Sequence, residues 1–316
     1  MTSKCFVGID TSNYTTSAAV CTATGEVIAN IKAPLPVKDG ECGLRQSDAV
    51  FAHVRNLPSV MEQLRKAVCG RTVLAVGCSV RPREAEGSYM PCFLAGRAAA
   101  ESFAAAIDVP VYEFSHQDGH IMAAVYSSGA EQRLLVAPFA AFHVSGGTTE
   151  ALHVTPSAYG FSVKLVGETA DLNAGQAIDR VGVMMGLRFP CGKEMERLAE
   201  DFCGKTPKPR VSVKDGNCNL SGLQNLAEKL WRESGDRGAV SSFVLDFIGE
   251  TLCRMTAQLD EKYPNLPIVY AGGVMSNRRL QKRLGARDDT FFAKPEFSAD
   301  NAAGISLLCR KRFLNA

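Results

Sequence analysis

Five histidines occur in this chain, and two of them stand four residues apart in His116-Gln117-Asp118-Gly119-His120. On a helix that interval is one turn, so both imidazoles face the same side and can coordinate one metal ion. The same interval is the skeleton of the zinc-protease helix, where a glutamate directly after the first histidine serves as general base. Gln117 holds that place here, and an amide cannot take a proton from water at neutral pH, which makes peptide hydrolysis the weaker reading. The plain alternative is a pair of surface or capping histidines.

Three further stretches could bind oxygen-rich ligands. Ser145-Gly146-Gly147-Thr148-Thr149 lies between two strand-like runs and supplies backbone N–H groups without Cβ obstruction, with hydroxyls beside them, to cradle phosphate or carboxylate. An ordinary hairpin turn has the same composition. Asp10-Thr11-Ser12-Asn13-Tyr14-Thr15-Thr16 reads in the same way, and two such hairpins at equivalent places say more than either alone. Ala271-Gly272-Gly273-Val274-Met275-Ser276-Asn277 follows a buried strand and opens a helix, where helix N-terminal amides favour a nucleotide. Asp300 precedes another helix and by itself reads as an N-cap. The basic runs Arg278-Arg279-Leu280-Gln281-Lys282-Arg283 and Arg310-Lys311-Arg312 are interrupted by apolar residues, as on an amphipathic helix. They are either solvated helix faces or nucleic-acid contacts.

The chain that positions these residues has 316 of them, 46% apolar and 22% charged. That is enough to bury a full core and predicts two lobes. The first residues run straight into a strand, and no apolar run approaches the roughly 18 residues that span a bilayer, so a soluble, cytoplasmic protein with no membrane contact is expected. Its 11 cysteines are odd in number and scattered. They fit neither a disulfide framework nor a zinc ribbon and read as small buried hydrophobes in a reducing compartment. A formal charge of +2 neither demands nor excludes a nucleic-acid partner.

Short strand-like runs separated by a Thr/Ser-rich turn and by the Thr24-Gly25 turn predict an antiparallel meander with strands at 5–9, 17–21 and 26–31. Apolar residues at intervals of three and four from Val50 to Val68 predict a helix over 47–68, kinked before Pro58, followed by a buried strand at 73–78. Helices at 94–106 and 116–126 flank a strand at 109–114. The opening arrangement then begins again, with strands at 135–144, 150–154 and 161–166. Helices at 174–185, 220–231, 240–263 and 276–284 follow, with a strand at 267–271, and a last helix over 300–313 returns to the first lobe. The first lobe is therefore assigned to residues 1–130, completed by 300–316, and the second to 131–299. This duplication resembles the actin-like ATPase (ASKHA, ribonuclease H-like) fold of actin, sugar kinases and heat-shock ATPases: two duplicated α/β lobes around a central cleft.

The fragments also stand in the order found in the TsaD-type tRNA threonylcarbamoyladenosine transferase family, formerly called glycoproteases, and the resemblance spans almost the whole chain. Gly8-Ile9-Asp10-Thr11-Ser12 resembles its opening motif, His116 and His120 its metal-binding pair, and Val144-Ser145-Gly146-Gly147 its second loop. Gly167-Glu168-Thr169 through Ala174-Gly175-Gln176-Ala177-Ile178-Asp179-Arg180 resembles the stretch whose second aspartate contacts substrate. The match continues through Leu187–Pro190, Gly192 and Glu194, then Leu220-Ser221-Gly222-Leu223, Gly272-Gly273 with Asn277, and Asp300-Asn301-Ala302-Ala303. The resemblance implies that His116, His120 and Asp300 are catalytic and hold one divalent metal ion, iron or zinc. It implies that Val144, Ser145, Gly146, Gly147 and Thr148, with Asp179, Gly192 and Asn277, bind threonylcarbamoyl-adenylate or another adenylate. Transfer of the threonylcarbamoyl group to the N6 amine of the tRNA adenine next to the anticodon would follow, with protein partners of a tRNA-modification complex.

This chain departs from the family at several places. Tyr14 and Thr15 stand where the family carries two acidic residues, Thr148 replaces a histidine, a Pro-Gly-Gly turn becomes Pro190-Cys191-Gly192, and Arg81 through Ser88 replaces a Gly-Pro-Gly loop. These departures keep two other functions open: a carbamoyltransferase with a different acceptor, and a non-catalytic metal- or nucleotide-binding paralogue that regulates an active partner.

Overall fold

The computed structural model describes residues 3–12, 14–36 and 44–316, and these divide into two compact units. The first unit holds the described residues up to Ser127 with Pro156–Ser162 and Phe297–Ala316. Its strands β1 (Ser3–Thr11), β2 (Thr15–Thr22) and β3 (Val27–Pro34) form the expected antiparallel meander. β4 (Arg71–Arg81) pairs parallel to β1, and β5 (Val111–Ser115) parallel to β4, giving the order β3-β2-β1-β4-β5. Parallel neighbours need crossovers, and the helices α1 (Gln46–Val68) and α2 (Phe93–Ile107) supply them. Pro58 lies inside α1.

Central strand β1 is buried on both faces, which is why it reads as an unbroken apolar run. Cys5, Val7 and Ile9 pack with Val60 and Leu64 of α1 and with Ala100 and Ala104 of α2. The alternate residues Phe6 and Gly8 meet the C-terminal helix, Ala303–Leu314, with Phe6 edge-on to Phe313 at 5.4 Å. A Cβ on Gly8 would lie 2.6 Å from the Ala302 carbonyl oxygen, and one on Gly77 would lie 2.9 Å from Cys309 Cβ. The helix therefore rests directly on strand backbone. Helix α3 (His116–Ser128) follows β5 without a break. A Cβ on Gly304 would overlap the carbonyl oxygen of Gly119, so α3 and the C-terminal helix also touch backbone to backbone.

The second unit holds Ser128–Thr155 and Val163–Glu296. After a short helix α4 (Glu131–Leu134) come β6 (Phe139–Val144), β7 (Thr149–Pro156) and β8 (Phe161–Glu168), then α5 (Ala174–Met184) and α6 (Gly192–Asp201). A small hairpin, β9 (Ser212–Lys214) with β10 (Asn217–Asn219), precedes α7 (Ser221–Ser234) and α8 (Arg237–Lys262). β11 (Ile268–Ala271), a 3₁₀ turn (Gly273–Ser276), α9 (Arg278–Leu284) and β12 (Thr290–Phe292) complete it. The sheet order β8-β7-β6-β11-β12 repeats that of the first unit, with β6 antiparallel to β7 and parallel to β11.

α8 buries residues around its whole circumference, as a helix in the middle of a core does. Against the sheet, Tyr270 stacks between Phe142 at 4.8 Å and Phe292 at 5.5 Å, and its hydroxyl meets Thr256 Oγ1 at 2.6 Å. The strand expected at 135–144 starts only at Phe139, after α4. The helix expected over 276–284 is split, because Asn277 ends the 3₁₀ turn and caps α9 by accepting from Leu280 N–H. The last helix starts at Ala303 and not at residue 300, its Ala303 N–H bonded to Asn301 Oδ1 at 3.0 Å. α6, β9, β10 and β12 gave no sequence signal: α6 buries only Met195 and Ala199, and the strands are three residues long, too short for a period to show.

Candidate functional site

α3 begins at His116, and its first turn presents His116 and His120 on one face with ring centroids 4.4 Å apart. The two Nε2 atoms are 2.9 Å apart. Asp300, in the segment leading into the C-terminal helix, places Oδ1 at 3.2 Å from His120 Nε2 and 3.7 Å from His116 Nε2. Donor atoms bound to one ion at about 2.1 Å stand roughly 3.0–3.4 Å from one another in octahedral or tetrahedral geometry. The three observed separations bracket that range, and all three ligand atoms lie within 4.8 Å of each other. The residues therefore fit one divalent ion. Two imidazoles and a carboxylate suit zinc and iron alike.

A second layer holds the three ligands in place. Asp10 on β1 is wholly buried, and its Oδ1 faces His116 Nδ1 at 2.8 Å while accepting from the Ser79 hydroxyl on β4. A carboxylate there keeps the proton on Nδ1 and leaves Nε2 to bind the ion. Asp10 Oδ2 is buried without a hydrogen-bond partner among the described residues. The Ser12 hydroxyl donates to Asp300 Oδ2 at 2.9 Å. Buried His53 of α1 places Nε2 2.8 Å from the Ser12 carbonyl oxygen and Nδ1 2.8 Å from the Thr16 hydroxyl, so α1 steadies the loop that steadies Asp300. Burial pushes the His53 pKa down and favours the neutral ring.

The charges respond strongly to this crowding. Burial alone would lower the His116 pKa, but the charge and hydrogen bond of Asp10 and the charge of Asp300 outweigh it and raise the pKa to about 9. Burial would raise that of Asp300, yet the hydrogen bond from His120 and the charge of His116 hold its carboxyl well below the usual carboxylate range.

Most hydroxyls of the first hairpin turn inward. Thr11 donates to the Cys92 carbonyl at 2.9 Å and accepts from Gly96 N–H, and Thr16 is taken by His53. Asn13 lies outside the described residues. Asp10, Ser12 and Thr16 thus serve as supports for the histidine–aspartate cluster. The sequence left these residues between an oxyanion cradle and an ordinary hairpin turn and did not disclose this role, although a charged residue inside an apolar strand was a usable signal. Asp300 does not cap its helix; its carboxylate is spent on Ser12 and the histidines.

In the second unit, Val144 ends β6 and is followed by the Ser145–Thr148 turn. Gly147 and Thr148 N–H donate to Ser145 Oγ at 3.2 and 3.1 Å, so a phosphate taking these amides must displace that hydroxyl. Gly175, at the start of α5, lies against the Ser145-Gly146 backbone, and a Cβ there would come within 2.6 Å of Gly146 N. Gly272, at φ +101°, packs on the Val144 backbone just before Asn277. These glycine contacts gather the turn, the start of α5 and the approach to Asn277. Asp179, one helical turn beyond Gly175, accepts from Cys191 N–H at 2.8 Å and so ties α5 to the start of α6 at Gly192. The side chain of Asn277 is occupied by its capping bond, at 3.1 Å from Leu280 N. No helix among the described residues is long and apolar enough to cross a membrane, and every described cysteine is free.

Comparison with known proteins gives three concordant results. The profile of the family described as TsaD, tRNA N6-adenosine threonylcarbamoyltransferase, matches residues 43–307. A Streptococcus sanguinis protein of that name is 31% identical over 297 residues, 90% of this chain and 84% of the relative, and one from Streptococcus suis is 30% identical over 97% and 92%. Among solved structures, full-length HypF in its phosphate- and nucleotide-bound form matches with TM-score 0.59 at 12% identity, over 98% of this chain but 55% of HypF. Component A of the Acidaminococcus fermentans (R)-2-hydroxyglutaryl-CoA dehydratase matches with TM-score 0.54 at 13% identity over 98% of both chains. A ROK-family glucokinase from Streptomyces griseus gives 0.50 at 13% identity, over 96% of this chain and 98% of that one. These structural likenesses identify the fold as actin-like.

Proposed function

The chain belongs to the TsaD family of tRNA N6-adenosine threonylcarbamoyltransferases, and from that premise we propose that it transfers a threonylcarbamoyl group to the N6 amine of a tRNA adenine, the one beside the anticodon, using threonylcarbamoyl-adenylate as donor. The observation that carries the reading is the convergence of His116, His120 and Asp300 on one point within a chain of this family.

His116, His120 and Asp300 would hold the ion, zinc or iron. When bound, a divalent cation supplies Lewis-acid polarisation of the carbamoyl carbonyl. In the reaction the adenine amine bonds to the carbamoyl carbon and loses a proton, while the bond from that carbon to the phosphate oxygen breaks and AMP leaves. This chain's residues contribute orientation. Asp10 fixes the tautomer and plane of His116, and Ser12 fixes Asp300. Val144 to Thr148, Asp179, Gly192 and Asn277 would hold the adenylate, with the Ser145 hydroxyl yielding its amide partners to phosphate oxygens. Tyr14 and Thr15 replace the two acidic residues that the family carries in the first hairpin, so that part of the site works without their charge. The site operates in the cytoplasm with protein partners, a location that suits a chain whose described cysteines are all free.

The test is a transfer assay with threonylcarbamoyl-adenylate and unmodified tRNA, with and without candidate partner proteins, comparing wild type with His116→Ala. Modified adenosine that disappears in the variant is the expected result. Transfer of unsubstituted carbamoyl alone, or no product from a metal-loaded wild-type protein under any condition, would sink the proposal.

A further inference from the structure

The basic side chains that the sequence offers for nucleic-acid contact are largely committed elsewhere. On α9, Arg279 pairs with Asp246 at 2.8 Å and Arg283 pairs with Glu250. On the C-terminal helix, Arg310 donates to the Ala23 carbonyl at 2.7 Å and Lys311 to the Ser157 carbonyl at 2.6 Å. Arg312 lies over the rings of Tyr112 at 5.3 Å and Tyr159 at 4.9 Å.

A different segment keeps its charge. Residues 203–214 contain Lys205, Lys208, Arg210 and Lys214 and no carboxylate. All four side chains are exposed, and none has an ion-pair partner among the described residues. Their backbone is stiff for reasons legible in its composition. Pro207 and Pro209 fix their own φ near −65° and push the residues before them into extended conformations, and residues 205–210 accordingly form neither helix nor strand. Along this segment Lys205, Lys208 and Arg210 follow one another at intervals of three and two residues.

Beyond Pro209 the segment is pinned to α8. Arg254 donates to the Val211 carbonyl at 3.2 Å, and Gln258 bonds both the Val213 carbonyl at 3.2 Å and Gly216 N–H at 2.8 Å. Val211 is buried and Val213 half-buried, while Arg210, Ser212 and Lys214 are exposed. This alternation is that of a strand, and it sends Arg210 and Lys214 outward on the same side, about 13 Å apart.

A row of uncompensated cations on a pre-ordered backbone matches a polyanion whose charges repeat along a chain. Ordering the backbone in advance removes part of the entropy cost of docking, and lysine and arginine gain affinity by releasing counterions from phosphates. We infer that residues 205–214 are a docking strap for the tRNA sugar–phosphate backbone. Taking tRNA as the polyanion rests on the transferase reading above. The strap reads no bases, since phosphate contacts position a nucleic acid without specifying its sequence.

The experiment measures binding of labelled, unmodified tRNA to the full-length protein across a salt series. It compares wild type, the triple variant K205Q/K208Q/R210Q, the charge-preserving K205R/K208R/R210K, and a control, K229Q/R232Q, in which exposed α7 cations already pair with Glu233 and Glu228. The glutamine triple should weaken binding at least about tenfold and flatten the plot of log affinity against log salt by roughly 2–3, near one per lost phosphate contact. The arginine–lysine swap and the α7 control should keep the wild-type slope, and in the transfer assay the glutamine triple alone should raise KM for tRNA with kcat unchanged. Wild-type affinity and slope in the glutamine triple would overturn the strap while leaving the transferase reading intact. A wild-type protein that neither binds nor modifies tRNA would overturn that reading, and the strap with it.

Discussion

Replacing Asp10 by asparagine keeps the size of the side chain and removes the carboxylate that faces His116 Nδ1 at 2.8 Å. In the metal-free protein burial works to lower the His116 pKa, but Asp10 and Asp300 raise it to about 9. A metal can take Nε2 only once that proton has left, so from this group alone the wild-type affinity should climb about 25-fold between about pH 7 and about pH 8.5. Asparagine returns His116 toward its ordinary value near 6.5, and over the same interval the contribution falls below about twofold. At about pH 9, where the proton no longer competes strongly, losing the orienting carboxylate should leave the variant about 10–100-fold weaker. The two affinity curves should therefore converge toward neutral pH and part as pH rises. Titrating metal-free protein with zinc against a chromophoric chelator at several pH values measures this directly. Parallel curves for wild type and Asp10→Asn would show that Asp10 does not govern the protonation of His116, and would refute the reasoning.

Three other outcomes are expected. Gly304→Ala drives a methyl into the Gly119 carbonyl, backbone against backbone, and should cost about 2–3 kcal/mol of stability in urea unfolding; because the two helices carry Asp300 and the histidines, zinc affinity should fall as well, and an unaltered unfolding midpoint would contradict the packing described. The Asp171 carboxylate accepts from Leu172, Leu220 and Ser221 N–H and from the Ser221 hydroxyl, so Asp171→Ala should lower stability by about 1–3 kcal/mol, read as a drop in thermal midpoint that Asp171→Asn partly restores. In the metal-free wild type, a His116 pKa raised to about 9 stabilises the fold below the ordinary value of about 6.5 and ceases to do so as pH rises through 9; urea unfolding should show a loss of up to about 3 kcal/mol across that window, absent from Asp10→Asn.

Much of this protein was legible as a string because the relevant geometry is local. The four-residue interval from His116 to His120 becomes one face of α3 wherever a helix forms, since helical rise and twist are set by the backbone. The short apolar runs of β1 to β3, broken by turn residues, and their counterparts β6 to β8 announced the duplication because strand and turn preferences are also local, and the ordered motifs from Gly8 to Ala303 pointed to the family. The short pieces α6, β9, β10 and β12 stayed hidden, because two buried residues or three strand positions establish no period.

What the tertiary structure decided is which distant groups meet. Asp10 and His116 are 106 residues apart, and His120 and Asp300 are 180 apart. Their contacts exist because Gly8, Gly119 and Gly304 let the C-terminal helix settle against β1 and α3. The hydroxyls of the first hairpin proved to be committed to the protein's own backbone and to the histidine–aspartate cluster, and the arginines of α9 to carboxylates of α8. Whether a polar side chain serves a ligand or its own fold depends on the partners that packing brings within about 3 Å, and composition along the chain does not encode that distance.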